Sequence, residues 1–148
     1  MKQPTVLALA LSILLPTAAF AGPAADAVAY FYKKGIGTEA MEETRDRFTG
    51  AAKAFLDAND RVFDEREEIC LDFGLAVDGQ DYDEAEISRS LKLHETVDGD
   101  AAMVIARFTN FGEPREIEWT LAKEGGAWKV SDIANNALGW RVSQFNCQ

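Results

Sequence analysis

Residues 100–133 read DAAMVIARFTNFGEPREIEWTLAKEGGAWKVSDI, and this stretch decides the fold. Asp98-Gly99 precedes it and Gly125-Gly126 interrupts it. Both pairs have the chemistry of tight hairpin turns, because glycine tolerates the positive φ such turns need. Phe111-Gly112-Glu113-Pro114 makes the middle turn, with Pro114 where no ladder N–H is lost. Between the turns the pattern has period two. Ile117, Trp119 and Leu121 fall on one face, Glu116, Glu118 and Thr120 on the other. The expected strands are Ser88–Val97, Asp100–Phe111, Arg115–Lys123 and Ala127–Ile133. Short turns between consecutive strands force antiparallel neighbours, so a four-stranded meander is expected.

One apolar sheet face needs a cover, and the preceding residues supply it. Pro23 suits a first helical turn, Val28, Phe31 and Tyr32 share a helix face, and Gly35 is a natural stop. From Thr38 towards Ile69, the residues Met41, Phe48, Ala52, Phe55, Val62 and Ile69 keep the three-four spacing of a helix with one buried side. Gly50 and Asn59-Asp60 read as breaks, which predicts two helices here. The run Asp64-Glu65-Arg66-Glu67-Glu68 reads as a solvated face, and residues 71–86 as irregular. The expected class is α+β, with N-terminal helices packed on a curved four-stranded antiparallel meander.

Residues 1–21 have the pattern of a secretory signal peptide: Lys2, the apolar run Val6–Leu15 and the small-x-small site Ala19-Phe20-Ala21. The run is shorter than the ~20 residues a spanning helix needs. A soluble periplasmic or secreted single domain, 22–148, without a membrane anchor is therefore expected. Without Lys2, 14 Lys and Arg stand against 25 Asp and Glu, a net charge of −11. That surplus disfavours nucleic acid and anionic lipid and favours a cationic or neutral protein or small ligand. Cys70 and Cys147 belong to no CxxC or Cys/His cluster, and in an exported chain an even count points to a disulfide.

Val77-Asp78-Gly79-Gln80-Asp81-Tyr82, Arg107-Phe108-Thr109-Asn110-Phe111-Gly112-Glu113-Pro114 and Trp128-Lys129-Val130-Ser131-Asp132-Ile133 together resemble DUF3828. That is a family of bacterial exported proteins in the NTF2-like (cystatin-like) superfamily. The resemblance covers nearly the whole of 22–148. It implies a cone, a bent sheet wrapped around a long helix, often with a cavity at the wide end, and it implies no activity. No motif of the superfamily's isomerases or cyclases is present, so no catalytic residue is carried over. The ending Trp140–Cys147 departs from the family pattern and reads as an extended tail held by Cys147.

His94, the single histidine, alternates onto the solvent side with Ser90, Lys92 and Thr96. The acids Asp78, Asp81, Asp83, Glu84 and Glu86 do not have EF-hand spacing, and Asp81 or Asp83 suits the cap of a short helix leading to Ile87. No metal or cofactor is expected. Arg107 alternates with Met103, Ile105 and Thr109, and Asp132 with Trp128 and Val130, which places charge on apolar faces. Such charges need an ion partner or a wet cavity. If a cavity opens, Tyr32, Arg107, Trp119 and Asp132 are its lining candidates. The expected function is a periplasmic binding or interaction module, of inhibitor or immunity type. The alternative is a small-molecule enzyme of the isomerase or cyclase kind with acid/base residues in the cone.

Overall fold

A computed structural model of the chain describes residues 21–148, so residues 1–20 of the expected signal peptide lie outside the described residues. Helix α1, Pro23–Lys33, begins with Pro23 at its first turn and Asp26 near its positive end. A distant carboxylate completes the cap: Ala25 N donates to Glu95 Oε2 at 2.6 Å. The face bearing Val28, Phe31 and Tyr32 is buried, as its spacing requires.

The segment after α1 differs from the expected pair of helices. A 3-10 turn, Glu42–Arg47, is followed by one continuous helix, α2, Gly50–Arg66. Gly50 does mark the break, with φ +52, a conformation glycine adopts without steric cost. Asn59-Asp60 is no break, because Asn59 lies on the buried stripe with Ala52, Phe55 and Val62. Met41 and Ile69, expected on that stripe, are exposed. After residues 67–83 a short helix, α3, Glu84–Ser90, starts at Asp83, whose carboxylate accepts the Glu86 N–H at 2.9 Å. The first strand is correspondingly shorter than its pattern suggested.

The sheet is antiparallel in the order β1 (Lys92–Asp98), β2 (Ala101–Asn110), β3 (Glu113–Glu124), β4 (Ala127–Asn135) and β5 (Trp140–Arg141). It thus has five strands rather than four. The fifth has two residues, too few to show a period, and pairs with Ala134 and Asn135. Ala102, Val104, Ala106 and Phe108 of β2 and Ile117, Trp119 and Leu121 of β3 are buried and face the helices. Phe31 stacks on Trp119 with centroids 5.3 Å apart. A register shift opposite Thr120/Leu121 pairs Leu121 with Val130 and Thr120 with Asp132, leaving Ser131 between them. The extra residue reverses the side-chain parity, so Val130 and Ile133 both point inward and Asp132 points out. Among the described residues no helix is long and apolar enough to cross a membrane.

Candidate functional site

Residues 67–83 carry the chain from α2 to α3 without helix or strand, a length uncommon for a loop inside a compact domain. Four sets of side chains hold it against the core. Asn59 Oδ1 accepts Cys70 N (2.9 Å) and Leu71 N (3.1 Å). Asn135 Nδ2 donates to Asp78 Oδ2 at 3.1 Å, and Trp140 Nε1 donates to Asp78 Oδ1 at 2.7 Å. Asn110 Oδ1 accepts Asp83 N at 2.9 Å. The fourth set is a relay from the core: Trp119 Nε1 donates to the Tyr32 hydroxyl (3.2 Å), and that hydroxyl donates to Ala76 O (2.8 Å). Ala76 N in turn donates to Glu39 Oε1 at 2.8 Å. All three asparagines are buried, so water competes little at the asparagine end of each bond. The Cys70–Cys147 disulfide, with Cα atoms 5.6 Å apart, ties the start of the loop to the C-terminal tail.

Between this loop and residues 37–40 lies a half-open cleft of about 330 Å³, walled by Leu71, Phe73, Leu75 and Val77 and flanked by Ile69 and Tyr82. Glu39 contributes to its lining although only 2% exposed. Burial pushes its carboxyl above the ordinary glutamate value of 4.5, and hydrogen bonds from backbone N–H groups oppose that rise in part. A carboxyl raised on folding adds stability that is complete below pH 4.5 and is lost as the pH climbs through the folded-state value. Glu39→Gln keeps an acceptor for Ala76 N–H and carries no charge. Its melting temperature should gain on wild type as the pH is raised from about 4 to 7. Parallel melting curves across that range would show that Glu39 does not titrate against a burial cost.

The four lining candidates do not meet. Tyr32 and Trp119 are buried core residues, and burial pushes the Tyr32 hydroxyl well above its usual range, keeping it a neutral donor to Ala76. Arg107 and Asp132 lie on the outer sheet face. Arg107 Nε pairs with Glu116 at 2.6 Å, and Asp132 with Arg141 at 3.2 Å. Asp132 also accepts Ser143 N at 3.0 Å, and Arg141 reaches Glu118 at 2.7 Å. Both charges expected on apolar faces are thus held in ion pairs. His94 is exposed on β1.

Sequence reasoning missed Glu39 and the asparagines. A signal existed for two of the latter: Asn59 interrupts the apolar stripe of α2, and Asn110 continues the inward parity of Ala106 and Phe108. A buried polar residue in an apolar register marks a hydrogen-bond anchor. Nothing periodic surrounds Glu39.

No family model matches the chain, and no curated protein matches it in sequence. Its fold is similar to a chain in the selenomethionine crystal structure of the type VI effector–immunity complex Tae3–Tai3 from Ralstonia pickettii. The TM-score is 0.55 at 17% identity, covering 80% of this chain and 98% of that one. The native structure of the same complex gives 0.55 at 18% identity, covering 82% and 98%. At such identity the likeness is one of fold.

Proposed function

We propose that this chain is an exported, periplasmic binding module of the immunity type that acts by engaging a cationic or neutral protein. The observation that carries this reading is the loop 67–83. Its backbone is pegged by buried side chains while Ile69 (60% exposed) and Tyr82 (40%) remain in solvent. Exposed apolar side chains on a rigid, acid-rich support are the ingredients of a protein interface. The fold shared with a chain of an effector–immunity complex supports a protein partner. Both cysteines are bonded to each other and the single histidine is exposed on a strand, which favours binding over nucleophilic catalysis. On the three segments 77–82, 107–114 and 128–133 we further propose that the chain belongs to the NTF2-like superfamily, close to DUF3828.

The test is capture followed by reconstitution. Tagged chain produced in the periplasm is mixed with exported proteins of the same cell. The protein it retains is then purified separately and recombined. A stoichiometric complex in which the partner's toxicity is neutralised is expected, with an association rate that falls as salt rises. At 0.15 M, screening already confines charge steering to about 8 Å. Turnover of a small carbonyl substrate by the isolated chain, abolished by Glu39→Gln in a folded variant, would replace this reading with the isomerase or cyclase alternative.

A further inference from the structure

We infer that the cleft over Glu39 is the docking surface of this module and that it receives a lysine or arginine side chain from a basic partner protein. This rests on the binding-module reading above and adds which face is used and what enters it.

The first ground is a buried carboxyl without an ion partner. Glu39 is 2% exposed, accepts Ala76 N–H, and has no Lys or Arg within ion-pair distance among the described residues. Burial disfavours the ionised form of this carboxyl, and a cation entering the cleft would offset that cost. An incoming cation adds only its own desolvation, and meets an acceptor already oriented by the backbone.

Charge around the cleft points the same way. Its lining includes Glu39 and Asp72 and neither Lys nor Arg. Residues 67–88 contain eight Asp and Glu and no Lys or Arg. Low-dielectric walls beneath such a segment focus a negative potential at the mouth. Ile69 and Tyr82 beside that mouth are suited to cover the aliphatic stem of a lysine or arginine while its head reaches the carboxylate.

Two other depressions lack this combination. The acidic hollow beside Phe63 is organised around Arg45, whose guanidinium binds Asp57 and Asp60 at 2.9 Å each. The outer-face groove at Lys92 and Arg115 contains the Arg107–Glu116 pair and mixes both signs.

The experiment places p-benzoylphenylalanine in the full chain at Tyr82, or at Met103 on the outer sheet face, and irradiates producing cells. A covalent adduct with a basic exported protein is expected from position 82 and not from 103. The dissociation constant of the reconstituted complex is then measured for two cleft variants. Glu39→Gln should weaken it roughly 30-fold or more, the loss expected when a buried charge pair loses one member, and Ile69→Lys should weaken it roughly 10-fold or more by setting a like charge beside the incoming cation. Ile69→Lys changes an exposed position and keeps the test open if Glu39→Gln folds poorly. Arg107→Ala should leave the constant within about twofold, as a residue outside the contact does. A complex that forms while both cleft variants bind like wild type, or whose adduct comes from position 103, overturns the docking surface and leaves the binding module standing. Absence of any adduct or complex overturns both. Saturable binding of N-acetyl-arginine amide in the micromolar range, with no protein adduct, overturns the protein partner in favour of a small cationic ligand.

Discussion

Trp119→Ala should cost about 3–5 kcal/mol of unfolding free energy, the range for removing a large aromatic from a packed core. Trp119 is fully buried, stacked on Phe31 with an interplanar angle of 15°, and edge-on to Tyr32 at 6.0 Å. Alanine there leaves a void bounded by the sheet on one side and α1 on the other. Against the ~5–15 kcal/mol typical of whole domains this is a large share, on the order of 10–20 °C in melting temperature. The effect should also reach the surface, because Trp119 Nε1 orients the Tyr32 hydroxyl that holds Ala76. Urea unfolding gives the free energy, and amide exchange should show the greatest local loss of protection at residues 74–79. A change below about 1.5 kcal/mol would mean that the site collapses around the cavity and that Trp119 is not the keystone of the core.

Replacing both cysteines, Cys70→Ala with Cys147→Ala, should lower stability by about 2–5 kcal/mol. The residues are 77 apart in sequence, and the chain-entropy relation gives roughly 4.5 kcal/mol for closing such a loop. The tail has a second attachment that survives the change. Phe145 packs 5.3 Å from Phe55 and 5.8 Å from Trp140, and Phe73 sits 5.3 Å from Trp140. The native fold should therefore persist in the double variant at reduced stability, with its denaturation midpoint shifted and its slope little changed. Wild type in excess reductant should unfold at the same midpoint as the double variant, since both lack the same bond. Equal midpoints for oxidised and reduced wild type would show that the staple adds nothing to the folded chain. A shift much beyond 5 kcal/mol would mean that loop 67–83 cannot hold its place by hydrogen bonds alone.

Helices before an antiparallel meander, and the faces of β1 and β3, were legible in residue order. Alternation at Ile117, Trp119 and Leu121, the glycine-bearing turns and the three-four spacing of α1 are local patterns, and each reports burial directly through the geometry of its own element. The pairing of the two cysteines needed only their number and the export pattern. Three things needed the folded chain. The fifth strand is two residues long and exists because β4 offers it an edge. The side on which Asp132 emerges was set by a single unpaired residue, Ser131, which reverses parity beyond it. The site itself joins Glu39 to Ala76, Asn110 to Asp83 and Asn135 to Asp78, residues 37, 27 and 57 positions apart. Periodicity says that a side chain is buried. It does not say which distant group satisfies it, because a hydrogen-bond partner or counter-ion is chosen by proximity in space, and for a loop without repeating structure only the packed core sets that proximity.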